Sequence, residues 1–398
     1  MIWPARTALR LGLFVSAVFL AESAFYSVVP PLLPGLVRET HMTTTEVGIL
    51  VAAYPAGVMI AAIPAIALVN RQGVRTTTTV GLSLLILATL AFAWSSLALI
   101  LDAARLIQGI GGAVAWAAAL AWLISEAPAA RRATVIGGAV GAALIGMVVG
   151  PVIGVAAAWL GRGIVFSGIA LVLAAMVVIT PSSPPAGADK RNPVRAVVEL
   201  LKVRRAAIGS ILIAVIGVIN GTLASLAPLL IARRLGSAAA IAAIFVASYL
   251  LASLWNVVLG RVADRVGRLV PVMVGFALAA GILPFLPSFS SLIPLGIATV
   301  VVGSSASGLW TPTAAMVADG AEPAPSGQAV AVSVTNASWA AGGALGAVVM
   351  SRLADSVGFS VPFLLVGTLC AVAALLCLAM LRGSQAQVEI ERSPGRQT

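Results

Sequence analysis

The dominant feature of this sequence is a series of continuous apolar runs, separated by short charged or turn-rich segments. A bilayer-spanning helix needs about 20 consecutive apolar residues, and most of the runs reach that length. Outer-membrane strands alternate apolar and polar residues, so continuous runs argue against a β-barrel. The pattern therefore predicts an all-α membrane protein with twelve transmembrane helices. The predicted spans are residues 11–31, 47–68, 77–97, 99–124, 134–158, 164–180, 206–230, 239–259, 270–287, 291–316, 329–351 and 360–381.

The composition excludes a water-soluble enzyme and a disordered chain. Hydrophobic residues make up 60% of the 398 residues and charged residues only 9%, whereas soluble proteins carry about 25% charged residues. Cys370 and Cys377 lie seven residues apart in one apolar run, too far along a helix to form a disulfide. His41 is the only histidine, so a zinc site or a histidine-based triad has no support. We expect no metal and no cofactor.

The charge distribution predicts the orientation. With both termini placed in the cytoplasm, 18 of the 24 Lys and Arg residues fall on the cytoplasmic side and five on the other, while Arg105 lies inside a span. Cytoplasmic loops carry such an excess in membrane proteins. We therefore expect a multi-pass protein of the cell (inner) membrane, whose net charge of +11 needs no nucleic-acid partner. The expected partners are the lipid bilayer and a small-molecule substrate, and we expect a monomer.

The chain divides into two sets of six spans. The longest polar stretch, 181–205, begins Pro-rich and ends basic, so it is interpreted as a cytoplasmic linker that rests on the anionic inner leaflet. The predicted domains are an N-terminal bundle 1–180, this linker, a C-terminal bundle 206–382 and a cytoplasmic tail 383–398. Short matches at offsets of 194 to 197 residues, for example Gly146 with Gly342, indicate an internal repeat of six-helix units.

Three motifs identify the family that the chain resembles. Residues 260–268 read GRVADRVGR, similar to motif A of the major facilitator superfamily. Residues 105–111 in span 4, RLIQGIG, resemble its motif B. Residues 146–154 in span 5, GMVVGPVIG, resemble motif C, the signature of the twelve-span drug–proton antiporters. The resemblance implies two six-helix bundles around a central cavity, with the proton gradient as the energy source.

The resemblance also assigns gating roles to two of these motifs. Motif A contributes Asp264, Arg265, Gly267 and Arg268, which would latch the cytoplasmic side when the cavity faces outward. Its first-half copy has Asn70, Arg71 and Gly73, and because Asn70 carries no charge we expect a weaker latch there. Motif C contributes Gly146, Gly150, Pro151 and Gly154. The three glycines share one helical face, Pro151 bends the helix, and the resemblance implies that span 5 packs against span 8.

Three charged residues lie inside the predicted spans, namely Glu22, Asp102 and Arg105. A charge at the bilayer centre costs about 2.5–3.5 kcal/mol on insertion scales and so needs a partner or a wet cavity. A buried carboxyl group can take up a proton near neutral pH. We hypothesise that Glu22 carries the proton and that Arg105 adjusts the proton affinity of the Glu22 carboxyl group. The alternative is a static ion pair between Arg105 and either acid, and Asp102 fits that alternative better.

Polar and aromatic residues at membrane depth predict the substrate cavity. Tyr54 also lies at this depth but is assigned no role. The assigned residues are Phe25, Tyr26, Gln108, Trp116, Asn220, Trp255, Asn256, Trp310, Asn336 and Trp339. An aromatic, mostly apolar cavity with one acid suits lipophilic compounds and especially cations.

The leading hypothesis is therefore proton-coupled efflux of small amphipathic compounds by alternating access. A facilitator or proton symporter, or an exporter of a polar metabolite such as a sugar or nucleoside, is the alternative that these residues leave open. A membrane-embedded enzyme needs clustered metal-binding carboxylates or a nucleophile system, and only Asp319 and Glu322 approach such a pair. A channel is disfavoured because no filter segment is visible.

Overall fold

The computed structural model describes residues 5–126, 132–180, 193–235, 237–321 and 325–392. These residues form fourteen α-helices and no strand, and 3₁₀ turns at Pro30–Leu32 and Leu283–Ser288 join or extend them. The helices are α1 Ala5–Ser27, α2 Leu33–Thr40, α3 Thr44–Trp94, α4 Ala98–Glu126, α5 Arg132–Leu160, α6 Arg162–Val178, α7 Pro193–Lys202, α8 Arg204–Leu235, α9 Ala238–Val266, α10 Leu269–Ile282, α11 Leu292–Gly308, α12 Trp310–Asp319, α13 Pro325–Val357 and α14 Ser360–Arg392.

These helices supply the predicted twelve crossings. Within the described residues, ten helical segments are long and apolar enough to span a bilayer, and α6 is a shorter apolar helix. The 51-residue α3 contains a break at Gly73, whose φ of 79° is left-handed, a conformation that favours glycine. Gly57 before the break and Gly81 after it both pack against α4. Helix α3 is therefore a hairpin of two crossings.

Several details differ from the sequence prediction. Span 10 is two helices, α11 and α12, that meet at Leu309. Of the predicted linker, residues 181–192 lie outside the described residues, and the remainder contains α7 and the first residues of α8. Of the predicted tail, the backbone of α14 continues as helix to Arg392, and residues 393–398 lie outside the described part, as do residues 1–4 and Glu322.

The buried side chains form two main cores, one for each bundle. The first draws almost entirely on α1 to α6 and includes Phe19, Leu82 and Phe166. The second draws on α8 to α14 and includes Phe276 and Phe363. Trp339 packs against both cores. The layout is the predicted pair of six-helix bundles.

The glycines of motif C contact a different helix from the one expected. A Cβ atom on Gly146 would meet the carbonyl oxygen of Leu20, and one on Gly150 would meet Ala24 and Ser27, so this face of α5 lies on α1. Helix α5 also contacts α9, which is span 8, so the expected packing of these two spans is present. The glycines themselves lie against α1, because small residues occur wherever two helix backbones approach closely and here α1 makes that approach.

The second bundle repeats this packing. Cβ atoms on Gly342 and Gly346 would meet backbone atoms of Ala214 and Val218, so α13 lies on α8 as α5 lies on α1. The pairs of glycines stand at the offset of 196 residues that the sequence repeat predicts. The two bundles are therefore built on the same helix-pair geometry.

The turns between the helices lie on two opposite faces of the molecule. One face, which we call the basic face, carries the turns at Gly73 and Gly267, helix α7 and Gly320. The opposite face carries His41 and the turns at Gly161 and Gly358. Gly267 has a φ of 88°, as expected for a glycine that permits a tight turn after α9.

Candidate functional site: a central cavity open to the basic face

A cavity of about 1360 Å³ lies between the two bundles and is lined by residues of both. It extends from Glu22 and Tyr26 at membrane depth to Asn70, Ser125 and Ala321 near the basic face. On the opposite face, the start of α3 packs against the end of α13. The cavity is therefore open toward the basic face and closed on the other side.

Helix α7 lines the mouth of this cavity. Arg195 and Glu199 both face it and form an exposed ion pair of 2.8 Å between Nε and Oε1. The hydrogen bond to the Glu199 carboxylate raises the pKa of the Arg195 guanidinium. Leu200 is buried against Ala206 and Val317. The linker helix is thus packed onto the second bundle at the entrance, which the sequence did not predict.

Glu22 projects from α1 into the deep part of the cavity. Its Oε1 accepts a hydrogen bond of 2.9 Å from the hydroxyl of Tyr54, and its Oε2 lies 3.4 Å from the Ser23 hydroxyl. Gly112 of α4 provides the space, because a Cβ there would lie 3.0 Å from Cγ of Glu22 and 2.9 Å from the Tyr54 hydroxyl. The carboxyl group therefore sits where α1, α3 and α4 meet.

Arg105 is almost fully buried, with 2% of its surface exposed. Its Nη1 donates to the carbonyl oxygen of Phe25 at 2.8 Å and to Oε1 of Gln108 at 2.9 Å. Its guanidinium carbon lies 4.6 Å from the centre of the Tyr54 ring, within range of a cation–π interaction. Among the described residues, no ion pair joins Arg105 to Glu22 or to Asp102, so the static ion pair is absent in this conformation.

Tyr54 connects these two charged groups. Its ring contacts the Arg105 guanidinium and its hydroxyl donates to Glu22. The sequence gives one signal for this role, since a buried tyrosine hydroxyl needs a hydrogen-bond partner, but it does not identify the partner. Phe19 and Tyr249, which line the cavity, were also missed. Both resemble ordinary core residues in the sequence.

Asp102 lies apart from the cavity. It is half-buried near the start of α4, and its Oδ1 has no hydrogen-bond partner among the described residues. Asp102 precedes Arg105 by three residues, so one helical face was expected to bring them together. The guanidinium instead turns toward Phe25 and Gln108. The structure therefore does not bring Asp102 together with Glu22 and Arg105.

An aromatic cluster spans the boundary between the bundles. The ring of Tyr26 from α1 meets Trp339 from α13 edge-on, with centroids 4.8 Å apart, and Trp310 meets Trp339 at 6.3 Å. On the first bundle, Trp116 stacks on Phe19 at 3.7 Å. All five side chains line the cavity. Their faces offer an apolar, π-rich wall to a ligand.

The three predicted asparagines all line the cavity but differ in their bonding. Asn256 donates to the carbonyl oxygens of Ala252 and Ser307 and accepts from Thr311, so its amide is fully engaged. Asn220 Oδ1 lies 3.4 Å from the Ser307 hydroxyl. Asn336 forms no hydrogen bond with another described residue. Asn336 is the amide best placed to meet a ligand.

Three predicted cavity residues lie elsewhere. Phe25 is buried in the core and Gln108 is buried beneath Arg105, where it also binds Thr89. Trp255 is 36% exposed and packs against Gly308. Phe25 and Trp255 lie outside the cavity for the same physical reason. Each adjoins a residue that does face the cavity, and successive helical residues point about 100° apart.

The motif A residues lie on the basic face. Arg268 donates to Asp319 and to the carbonyl oxygen of Ala315, and Arg205 lies 3.5 Å from the same carboxylate. These bonds tie the α9–α10 turn to the end of α12 within one bundle. Asn70 lines the cavity, while Arg71, Asp264 and Arg265 are exposed. Asp264 forms no bond with a described residue of the other bundle, which is consistent with a cavity that is open on this face.

Replacing Arg105 with lysine is expected to lower the melting temperature by several degrees. An ammonium group cannot reproduce the planar fork that binds Phe25 and Gln108 and stacks on Tyr54, and hydrogen bonds to charged groups contribute about 1.5–3 kcal/mol. The measurement is a thermal unfolding curve of the detergent-purified protein. Arg71→Lys, on the exposed turn, is the matched control. Equal melting of both variants would contradict this role of the guanidinium.

The fold and the cavity define a class of protein, a transporter with two helical bundles around a central binding site. The family model described as Major Facilitator Superfamily matches residues 14–219 and again residues 209–397. The chain therefore belongs to the Major Facilitator Superfamily. It is a multi-pass membrane transporter that binds a small-molecule substrate, and not an enzyme.

Solved structures share this fold at low sequence identity. A crystal structure of the nucleoside transporter NupG, a point mutant, is similar with a TM-score of 0.73 and 14% identity, over 93% of this chain and 99% of that one. A bacterial homolog of the human lysosomal transporter Spinster, inward-facing and unoccupied, has a TM-score of 0.76 and 14% identity, over 96% and 98% of the two chains. No curated protein matches this chain.

Proposed function

We propose that this transporter exports small amphipathic compounds in exchange for protons, by alternating access across the cell (inner) membrane. The observation that carries the proposal is the position of Glu22. Of the two described acids that line the cavity, Glu199 is paired with Arg195 at the mouth, and only Glu22 lies at membrane depth. An ionisable residue facing an intramembrane cavity marks a site of ion or substrate passage.

The proposed cycle uses Glu22 as the shared site. With both termini and the basic face in the cytoplasm, the cavity of this structure faces inward. A substrate that enters displaces the proton from Glu22 to the cytoplasm. The bundles then rock, the substrate leaves on the opposite face, and Glu22 takes up a new proton there. The Tyr54 hydroxyl stabilises the carboxylate, and Arg105 positions Tyr54 through its ring.

The lining of the cavity favours lipophilic, preferably cationic, substrates. Trp116, Trp310 and Trp339 supply aromatic faces, and Glu22 supplies one negative charge. A cation beside aromatic rings is stabilised by about 0.5–2 kcal/mol for each close contact. The proton gradient supplies the energy, so the proposal requires no cofactor, and it requires no more than a monomer because one chain forms the whole cavity.

A polar metabolite is the second candidate, with the protein acting as a facilitator, a symporter or an exporter of a sugar or nucleoside. The observation that favours it is the group of amides in the second bundle, where Asn336 faces the cavity and forms no hydrogen bond with another described residue. The structural similarity to a nucleoside transporter points the same way. Glu22 would then recognise a hydroxyl or amine of the substrate.

The experiment that separates these candidates uses everted vesicles with an acid interior and a pH-sensitive dye. Lipophilic cations, neutral drugs, sugars and nucleosides are added one at a time. Efflux by antiport predicts that an amphipathic compound releases protons from the vesicle interior. No proton movement with any compound, in vesicles that do take up a labelled sugar or nucleoside, would instead establish the facilitator.

Trp339→Ala is expected to raise the half-saturating concentration for an aromatic substrate about twofold to tenfold, since aromatic pairs contribute about 0.5–1.5 kcal/mol beyond their buried area. Trp339 joins Tyr26 and Trp310 at the bundle boundary. The measurement is concentration-dependent transport in the same vesicles. Trp255→Ala is the matched control, because Trp255 lies outside the cavity lining. Equal effects of the two substitutions would exclude the aromatic wall from recognition.

A further inference from the structure

The face opposite the cavity is closed by a seam between the start of α3 and the end of α13, which belong to different bundles. A Cβ on Gly48 would lie 2.6 Å from the carbonyl oxygen of Ala347 and 2.7 Å from Oγ of Ser351. Contacts this short are available only to glycine. Further along the seam, a Cβ on Gly343 would lie 3.6 Å from Pro55. The two helices therefore pack closely at Gly48 and remain in contact as far as Pro55, about two turns further along α3.

A carboxylate completes this seam at its outermost point. Asp355 Oδ2 accepts a 2.8 Å hydrogen bond from the hydroxyl of Thr45 and lies 3.4 Å from the Thr45 backbone nitrogen. Thr45 belongs to the first turn of α3, whose own capping box uses Thr43 and Glu46. Unpaired N–H groups and the helix dipole favour a negative charge at this end. Asp355 thus binds the N-terminus of a helix in the other bundle.

The segment that contains Asp355 is similar in sequence to motif A. Residues 352–358 read RLADSVG and residues 261–267 read RVADRVG. The copies also share their geometry. Gly358 and Gly267 have φ values of 84° and 88°, and in each the glycine N–H binds the carbonyl oxygen of the alanine four residues earlier at 3.0 Å. The aspartate therefore stands at the same place relative to the helix end, on opposite faces of the molecule.

We propose that Asp355 is the latch of the opposite face. It holds the bundles together there while the cavity is open to the basic face, and its bond to α3 must break before the cavity can open on the opposite side. Asp264 occupies the same position in the copy on the basic face, where it is exposed and the bundles are apart. The inference rests on the alternating-access movement of the proposed function, but not on the substrate or on proton coupling.

Removing the charge tests the latch. Asp355→Asn keeps the size of the side chain and one acceptor oxygen but loses the charge that the helix N-terminus favours. We expect the ratio of opposite-face-open to opposite-face-closed molecules to rise about tenfold, which corresponds to about 1.4 kcal/mol. Thr45→Val removes the hydroxyl donor on the other side of the bond and is expected to shift the ratio in the same direction. Ser356→Ala is the matched control, because among the described residues the Ser356 hydroxyl bonds only to Leu353 of its own helix.

The readout is a distance distribution between spin labels at Ser96→Cys and Ser290→Cys. Both serines are exposed on opposite-face loops, one in each bundle, and the native Cys370 and Cys377 are buried. Pulsed electron paramagnetic resonance on the purified protein needs neither substrate nor a proton gradient, so its result is independent of the transport assay. We expect a longer distance to gain population in Asp355→Asn and Thr45→Val but not in Ser356→Ala. Distributions of both latch variants that match the unsubstituted pair would overturn the proposal.

Discussion

Glu22→Gln is expected to reduce proton-driven accumulation of substrate to the background of empty vesicles, while substrate-for-substrate exchange continues. Glutamine has the size of glutamate and can still accept a hydrogen bond from Tyr54, so the cavity keeps its shape. The amide cannot take up or release a proton, and the step that links transport to the gradient is lost. The measurement compares uphill accumulation with exchange of labelled for unlabelled substrate in the same proteoliposomes.

The matched control for this prediction is Glu46→Gln. Glu46 is exposed on the opposite face, where it belongs to the capping box of α3, and glutamine serves in a capping box as glutamate does. We expect this variant to accumulate substrate like the unsubstituted protein. Uphill accumulation that survives Glu22→Gln would place the proton on another group. Loss of both accumulation and exchange would make Glu22 a substrate ligand rather than the proton carrier.

Gly150→Ala is expected to destabilise the protein by about 1–3 kcal/mol, the usual cost of overpacking a tight contact. A Cβ at this position would lie 2.6 Å from the carbonyl oxygen of Ala24 and would also overlap the Ser27 hydroxyl. Since the obstacle includes backbone of α1, no side-chain rotation can relieve it and the helices must separate. The measurement is a thermal unfolding curve in detergent, followed by size-exclusion chromatography.

Gly141→Ala provides the control on the same helix. Nothing lies within 4 Å of a Cβ on Gly141, and alanine is favoured over glycine in a helix by about 0.5–1 kcal/mol. This variant is expected to melt at the same or a higher temperature. Gly346→Ala, the equivalent of Gly150 in the second bundle, is expected to be destabilising because it meets the backbone of Val218. Unchanged melting of Gly150→Ala and Gly346→Ala would contradict the proposed close helix contacts.

The sequence predicts the spans well because the bilayer imposes a simple rule on length and polarity. The predicted span 134–158 corresponds to α5 Arg132–Leu160, and 239–259 corresponds to the apolar part of α9. The break at Gly73 was also predictable, since arginines and a glycine interrupt the apolar pattern there. Helix α7 was not predicted because a Pro-rich and basic segment does not distinguish a helix from an extended linker.

The site is harder to predict because it depends on which face each helix turns inward. Glu22 could be selected from the sequence, since an acid in an apolar span needs a partner or a wet cavity. Phe25 and Trp255 were assigned to the cavity together with their neighbours Tyr26 and Asn256, but a step of one residue along a helix rotates the side chain out of the cavity. The partner of Arg105 depends on tertiary contacts, and the structure shows a backbone carbonyl, Gln108 and the Tyr54 ring rather than an acid.

The copy of motif A around Asp355 illustrates the same limit. The repeated residues are visible in the sequence, but the contacts that they make depend on the helix that packs against them. Only the contact between Asp355 and Thr45 shows that the segment faces the other bundle. A short pattern thus indicates how a helix ends, and the three-dimensional arrangement decides what that end binds.

Proton release on substrate binding shows whether the proton and the substrate compete for Glu22. Detergent-purified protein is placed in an almost unbuffered solution near neutral pH, a transported compound is added, and the pH is followed with a dye. We expect the unsubstituted protein to release protons in a saturable manner and Glu22→Gln to bind the same compound without releasing any. Saturable binding without proton release by the unsubstituted protein, or equal release by Glu22→Gln, would contradict this competition.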